Sequence, residues 1–202
     1  MILKEEAANT KKGKPQKRLI IVHGWEGSPD HGWYPWLKAE MEKRGWEVVA
    51  PALPNTNNPK AHEWLACLVQ VAGKVDENTF MVGHSLGCVT IVCFLENLPD
   101  TQSIGGAVLV AGFDNPLNIK ELENFYEVPI NWEKAKRKCK KFVSIHSVDD
   151  PYVPVENSVR LQGKLGAKKI VVEGFKHFSG DEGFSTLPLV LQELLEISDE
   201  SK

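Results

Sequence analysis

Short apolar runs rich in β-branched residues recur along the chain and dominate its pattern. Each spans only about four positions, and none alternates between apolar and polar residues. Continuous apolar runs of this length are typical of strands that a parallel sheet buries on both faces. We predict strands at residues 19–22, 47–50, 79–82, 107–110, 142–145 and 169–172.

Segments with apolar side chains at helical spacing separate these runs. The last segment carries one apolar stripe, formed by Leu187, Val190, Leu191, Leu194 and Leu195. Such a stripe is the buried face of an amphipathic helix. Three earlier segments, at 36–44, 64–71 and 89–95, show the same spacing. A chain that alternates strands and helices predicts an α/β fold with a doubly wound, mostly parallel six-stranded sheet, right-handed crossovers and helices on both faces.

The domain organisation follows from length and composition. At 202 residues the chain suits one domain, and because no Gly/Ser/Pro-rich linker divides it we place that domain at 18–202. Residues 1–17 are lysine-rich and are predicted to form a flexible basic tail. Residues 113–141 exceed the length of one crossover helix, and we interpret them as a small helical lid. Four aromatic residues lie in that segment: Phe113, Phe125, Tyr126 and Trp132.

The charge balance excludes some partners. A formal net charge of −3 gives no electrostatic attraction for nucleic acid or for an anionic membrane, so we expect a small-molecule substrate. The N-terminus lacks the apolar stretch of a secretory signal, and no run approaches the roughly 20 apolar residues of a membrane span. We therefore expect a cytoplasmic protein. Its four cysteines are predicted to be buried free thiols rather than disulfides or zinc ligands, and no metal or cofactor is expected.

The most informative stretch is Gly83-His84-Ser85-Leu86-Gly87, a G-x-S-x-G pentapeptide. It stands between the third predicted strand and a helical segment, which is the context in which this motif forms a nucleophile elbow. The sharp turn leaves no room for side chains two positions before and after the serine, and glycine occupies both. We predict Ser85 as a nucleophile and the backbone N–H of Leu86 as an oxyanion donor. The alternative is a serine that only caps a helix.

A second oxyanion donor is expected in the loop after the first strand. His23, Gly24 and Trp25 follow one another there, and a His-Gly pair at this position is similar to the oxyanion loop of many lipases and esterases. We nominate the backbone N–H of Trp25, and we expect Gly24 and Trp25 to contact substrate. The rings of His23 and His84 are interpreted as braces of the loops that carry them.

The order nucleophile, acid, base along the chain selects the remaining partners. His177 follows the last predicted strand and is the base, whereas His146 lies inside the fifth strand. Two aspartates compete for the acid directly after that strand. We choose Asp150, because it stands four positions before Pro154, the spacing typical of related hydrolases. Asp149 would then brace the turn through backbone N–H groups.

Several segments together resemble one family of proteins. They are residues 23–29, 33–37, 50–55, 83–87 and 149–154, together with His177. From Arg18 onward the chain is similar to the retinoblastoma-binding-protein-nine and YdeN-like family of small serine hydrolases. The resemblance implies a compact α/β-hydrolase without a large cap domain. It also implies a triad of Ser85, Asp150 and His177 that hydrolyses carboxylic esters or amides of small substrates.

Three functions stay open at this point. The favoured one is hydrolysis of a small carboxylic ester through an acyl-enzyme on Ser85. A related one is amide or aminopeptidase chemistry, with Glu26 as a candidate to hold a substrate amine. The third is an idle scaffold that binds a protein partner. Such a scaffold would be expected to lose a triad residue type, whereas this chain retains all three in order.

Overall fold

A computed structural model describes residues 16–199 and contains one sheet of six strands. The strands are β1 (Arg18–Val22), β2 (Glu47–Val49), β3 (Thr79–His84), β4 (Gly106–Val110), β5 (Phe142–Ser147) and β6 (Lys168–Val172). They lie in the order β2-β1-β3-β4-β5-β6, and every neighbouring pair is parallel. The predicted strands and the predicted α/β class are confirmed.

Six α-helices connect or follow these strands. They are α1 (Tyr34–Glu42), α2 (Ala61–Ala72), α3 (Leu86–Asn97), α4 (Trp132–Arg137), α5 (Asn157–Leu165) and α6 (Pro188–Asp199). The four segments with helical spacing correspond to α1, α2, α3 and α6. Helix α5 was not predicted, because its buried face combines only two large apolar side chains, Leu161 and Leu165, with the polar Asn157 and Ser158.

The helices cover both faces of the sheet, so the chain has two apolar layers. Successive side chains of a strand point to opposite faces, and in β1 Leu19 and Ile21 pack with α1 and α6 while Ile20 and Val22 pack with the other helices. The edge strand β6 differs. Its lysines and Val171 are exposed, so the expectation of burial on both faces is wrong for this strand.

The order of the strands determines where a crevice opens. From β1 the chain passes to β2 on one side, and it then returns to β3 on the other side of β1. Ligands of doubly wound sheets bind outside the carboxyl ends of the strands at such a reversal. Gly24 follows β1 and Ser85 follows β3, so both lie at this point.

The segment interpreted as a lid is divided between two environments. A short 3-10 helix (Lys120–Phe125) lies beside the crevice, and α4 packs against α3 and α5 as an ordinary crossover helix. The described residues show no large cap. None of the helices in residues 16–199 combines the length and apolar character needed to cross a membrane.

The structure describes only the last two residues of the predicted basic tail at 1–17. Most of the expected basic tail, residues 1–15, lies outside the described residues. Lys17, however, donates a hydrogen bond to the Ser198 carbonyl at 2.9 Å, and its ammonium lies 5.3 Å from the centre of the Trp46 ring. These contacts join Lys17 to the end of α6 and to the Trp46 ring.

All four cysteines lie in the described part of the chain and are free thiols. Cys88 and Cys139 are buried, and burial raises the pKa of both thiols far above its usual value. Cys67 and Cys93 are only half-buried. The prediction of buried thiols is wrong for these two, which pack against the core but are partly exposed.

Candidate active site

Ser85 lies at the junction of β3 and α3 in a strained backbone conformation. Its φ of 53° and ψ of −121° are rare for a residue with a side chain, and such strain is typical of functional sites. The backbone N–H of Ser85 donates to the Val110 carbonyl at 2.8 Å, which holds the turn. A Cβ at Gly87 would lie 2.3 Å from the Val22 carbonyl oxygen, and one at Gly83 would lie 2.9 Å from a backbone nitrogen of α3. Both glycines are therefore required by close approach of the backbone.

The loop after β1 packs directly against the serine. A Cβ at Gly24 would lie 3.1 Å from the Ser85 Cβ, and Gly24, Trp25 and Leu86 all line the same crevice as Ser85. Within the described residues, the backbone N–H groups of Trp25 and Leu86 make no hydrogen bond. Both predicted oxyanion donors thus lie beside the serine with their N–H groups available.

His23 braces this loop, as interpreted from the sequence. Its Nδ1–H donates to the Gly24 carbonyl at 2.8 Å, and its Nε2 accepts from the Leu53 backbone N–H at 3.1 Å. Because Nε2 is an acceptor, the proton is on Nδ1. Burial lowers the pKa of His23, so the ring stays neutral and ties Gly24 to the neighbouring loop.

Asp150 and His177 meet at the carboxyl ends of β5 and β6. His177 Nδ1 lies 2.9 Å from Asp150 Oδ2 and 3.1 Å from Oδ1. The Asp150 carboxylate also accepts backbone N–H bonds from Tyr152 and Val153, each at 2.9 Å. Its side chain is 1% exposed and that of His177 is 11% exposed. With its proton held at Nδ1, the ring of His177 has Nε2 as its acceptor.

Ser85 and His177 line the same crevice. In the described part of the chain, Ser85 Oγ makes no hydrogen bond to the ring of His177. Such bonds are often long in unliganded enzymes and shorten in the complex with substrate.

Asp149 faces away from His177 despite being the neighbour of Asp150. Its carboxylate accepts the Ser147 hydroxyl and the backbone N–H groups of Gly174 and Lys176, the latter two at 3.0 and 3.3 Å. The bond from Ser147, followed by those from the two N–H groups, lowers the pKa of Asp149. This carboxylate therefore braces the loop that carries His177, and it makes no contact with the imidazole.

The loop around His177 is held on both sides. Lys176 and Phe178 have positive φ values of 44° and 58°, so the segment is strained. The Glu182 carboxylate accepts the backbone N–H of His177 at 2.9 Å, and the Trp33 indole N–H donates to the Phe178 carbonyl at 2.9 Å. The sequence reasoning missed Glu182, although Ser179 and Glu182 form an S-x-x-E pattern, and this pattern folds here as a capping box.

His84 also supports this loop, from inside the elbow. Its Nε2–H donates to the His177 carbonyl at 2.7 Å, and its Nδ1 accepts the hydroxyl of Tyr34 at 2.8 Å. Burial, and next the neighbouring ring of His177, lower the pKa of His84 to about 3. The interpretation that His84 braces its own loop is wrong, because it braces the loop of His177. Nothing local in the sequence signals this contact.

The crevice has a volume of about 480 Å³ and a mixed lining. Three carboxylates, Glu26, Asp181 and Glu182, contribute to it, and the described lining includes no lysine or arginine. Asp181 pairs with His31 at 3.3 Å. Apolar side chains form much of the remaining lining: Trp25, Trp33, Leu86, Phe113, Leu117, Ile119, Leu122, Val153 and Phe178.

Comparison with known proteins gives one consistent family. The model of the serine hydrolase family matches residues 19–196. The putative hydrolase YdeN of Bacillus subtilis is 35% identical over 175 residues, which cover 86% of this chain and 92% of that protein. The serine hydrolase RBBP9 of Rattus norvegicus is 26% identical over 185 residues, which cover 90% of this chain and 96% of that protein.

Solved structures agree with these relatives. The crystal structure of the ydeN gene product of B. subtilis superposes with a TM-score of 0.85 and 34% identity, covering 93% of this chain and all of that one. A carboxylesterase structure from the thaumarchaeon Nitrososphaera gargenis has a TM-score of 0.73 at 13% identity, with 93% of each chain covered, and this likeness shows the α/β-hydrolase fold alone. The resemblance inferred from the motifs is confirmed, and the chain belongs to the serine hydrolase family.

Proposed function

We propose that this serine hydrolase cleaves a small carboxylic ester, with Ser85 as nucleophile, His177 as general base and Asp150 as the residue that orients the base. The observation that carries the proposal is the contact of both Asp150 oxygens with His177 Nδ1, at 2.9 and 3.1 Å, beside the crevice that also contains Ser85. A buried carboxylate on Nδ1 leaves Nε2 to accept a proton, which is the arrangement that activates a serine.

The reaction follows from these groups. His177 Nε2 accepts the Ser85 proton as Oγ attacks the carbonyl carbon, and the backbone N–H groups of Trp25 and Leu86 stabilise the resulting oxyanion. His177 then protonates the departing alkoxide, leaving an acyl group on Ser85. A water molecule, deprotonated by His177, attacks the acyl carbon. The bond to Ser85 Oγ then breaks, His177 returns the proton to Oγ, and the carboxylic acid leaves. Asp150 stabilises the imidazolium of His177 both while the acyl-enzyme forms and while it is hydrolysed.

The size of the crevice supports a small substrate. A volume of about 480 Å³ lies within the range of roughly 300–1,000 Å³ that is usual for small-molecule sites. The mechanism uses only groups of this chain, and the proposal includes no cofactor. We therefore propose a small acyl compound as the substrate.

A second candidate is hydrolysis of amides or esters that carry an amine. Three carboxylates line the crevice, and its described lining has no cation of the lysine or arginine type. Glu26 directly follows the proposed oxyanion donor Trp25. Turnover of aminoacyl p-nitroanilides that Glu26→Gln reduces more than turnover of neutral esters would favour this candidate.

The test of the nucleophile combines labelling with turnover. Wild type, Ser85→Ala and the control Ser185→Ala, which changes an exposed serine, are treated with a fluorophosphonate probe and with p-nitrophenyl butyrate. Wild type and the control should label and hydrolyse alike. Ser85→Ala should lose labelling and about 10⁶-fold in kcat.

Two results would contradict the proposal. Equal labelling of Ser85→Ala and wild type would mean that another residue is the nucleophile. Absence of both labelling and turnover in all three proteins would favour the idle scaffold.

A further inference from the structure

Residues 113–126, which we call the strap, form one wall of the crevice. The strap follows β4, whereas the loop of Glu26 and His31 follows β1, and these strands lie on opposite sides of β3. Ser85, at the end of β3, therefore lies between the strap and the loop after β1, which contributes Glu26 and His31 as well as aromatic rings to the crevice. The strap residues that line the crevice are all apolar: Phe113, Leu117, Ile119 and Leu122.

Polar contacts hold the strap near both of its ends. Close to its start, the Asp114 carboxylate pairs with Lys164 at 2.8 Å and Arg160 at 3.3 Å, both on α5, and its side chain is only 7% exposed. Close to its other end, the Asn124 side-chain oxygen accepts the backbone N–H of Ala61, where α2 begins, at 2.7 Å. The apolar wall is therefore fixed to two helices.

The middle of the strap is strained. Leu117 and Asn118 have positive φ values of 54° and 59°, a conformation that glycine adopts freely and that a leucine rarely does. Two hydrogen bonds keep the turn closed. The Asn115 side chain accepts the Leu117 N–H at 2.9 Å, and the Pro116 carbonyl accepts the Ile119 N–H at 2.8 Å. An apolar side chain is thus held beside the crevice in a backbone conformation that is unfavourable for it.

The charges of the crevice indicate which acyl group suits this wall. The carboxylates of Glu26 and Glu182 would repel an acyl group that carries its own carboxylate or phosphate. Asp181 already pairs with His31, and the described lining offers no lysine or arginine to bind such a group. A linear aliphatic chain along the strap would lose contact with water. Each buried methylene contributes about fourfold in affinity.

We infer that the strap forms an acyl-chain subsite for linear, uncharged aliphatic acids, and that the side chain of Leu117 limits the length of chain that fits. This inference rests on the proposed ester hydrolysis and specifies its substrate class. It makes Leu117 a specificity-determining residue, separate from the residues that carry out the reaction.

The first experiment measures kcat/KM for p-nitrophenyl esters from acetate to dodecanoate. In wild type, kcat/KM should rise by about fourfold per methylene and then fall where the chain meets Leu117. Leu117→Ala and Leu117→Gly should both move the optimum to longer chains and raise the ratio of long-chain to short-chain turnover about tenfold. Leu117→Gly removes the side chain and the backbone strain together, so it should fold at least as well as Leu117→Ala. Thermal melting of both variants checks this.

Asn118→Gly is the matched control. It relieves the same kind of strain at the next residue, which is exposed and does not line the crevice. Its chain-length profile should match that of wild type. An equal shift in Asn118→Gly, or an unchanged optimum in both Leu117 variants, would overturn the inference while ester hydrolysis itself stood.

The second experiment measures binding without turnover. Linear 2-alkanones, which are uncharged and have no ester bond, are titrated by calorimetry into Ser85→Ala and into Ser85→Ala/Leu117→Ala. Affinity should increase with length and level off at a longer chain in the double variant. If wild type hydrolyses no ester but this pattern appears, the proposed reaction is wrong and the subsite stands. Affinity independent of chain length would overturn the subsite.

Discussion

The two walls of the crevice are held in place by different forces. On the reacting wall, by which we mean the loop that carries His177 together with the residues that hold it, buried polar groups pair with one another. The backbone N–H of His177 bonds to Glu182, its carbonyl to His84, and its ring to Asp150. On the strap, polar contacts occur near the ends and the surface facing the crevice is apolar. Proton transfer needs fixed angles and distances, whereas an acyl chain needs only shape, so mutations in the two walls should differ in size and kind.

The largest expected effect separates the two adjacent aspartates. Asp150→Asn should lower kcat by about 10⁴-fold, since the imidazole loses the carboxylate that sets its tautomer. Asp149→Asn should cost roughly tenfold or less, because Asp149 bonds to Ser147 and to backbone N–H groups of the loop and does not contact the imidazole. Steady-state hydrolysis of p-nitrophenyl butyrate measures both. A larger loss in Asp149→Asn would exchange the two roles.

The next effect concerns the close backbone packing around Gly87 in the nucleophile elbow. Gly87→Ala should destabilise the fold by about 3 kcal/mol or more, because the new Cβ would lie 2.3 Å from the Val22 carbonyl oxygen. The control is Gly163→Ala in α5, where a Cβ meets nothing within 4 Å, and this change should stabilise by about 0.5–1 kcal/mol. Urea unfolding measures both. Equal stabilities would show that the elbow tolerates a side chain.

A pH effect should follow from the buried His84. Its pKa is about 3 in the folded state against 6.5 for the free residue, so the unfolded state binds more protons between these values. The free energy of unfolding should therefore fall as pH drops from 6.5 towards 3, by at most about 1.4 kcal/mol per pH unit for this group. His84→Asn should show a shallower slope in urea unfolding. Burial also lowers the pKa of His23 and of His146, and their contributions to the slope persist in His84→Asn. An unchanged slope in His84→Asn would contradict the assignment of this pH dependence to His84.

The smallest effect compares one hydroxyl in each wall. Tyr34→Phe removes the donor that keeps the His84 proton on Nε2, and we expect about a tenfold loss in kcat with little change in KM. Tyr126→Phe removes a hydroxyl that donates to the Phe113 carbonyl in the strap at 3.3 Å. It should leave kcat for p-nitrophenyl butyrate within about twofold. Similar losses in both variants would remove the distinction between the walls.

Much of the fold was accessible from local pattern. Strands buried on both faces appear as continuous apolar runs, and the interior strands were predicted to within two residues. The exposed edge strand β6 and the weakly apolar helix α5 show the limit. The burial of β6 depends on its position in the sheet, and that of α5 depends on polar side chains whose hydrogen bonds are made by neighbouring residues. Neither condition is visible in a hydrophobic pattern.

The site divides in the same way. The elbow of Ser85 is a local motif, and chain order selected His177 as the base. Spacing to a proline favoured Asp150, and the structure brings it to the His177 ring. The contact of His84 with the His177 carbonyl joins residues 93 positions apart. Such a contact depends on the order of the strands in the sheet, so no short sequence motif predicts it.

The sequence by itself determined the alternation of strands and helices, the strained serine between two obligatory glycines and the types of residue available for acid-base chemistry, because these depend on neighbours within a few positions. Only the tertiary structure decided which aspartate faces His177, what holds the loop of His177, and that an apolar strap with a strained Leu117 forms one side of a crevice that three carboxylates also line. These features depend on the distance between loops that leave different strands, which the parallel order of the sheet establishes.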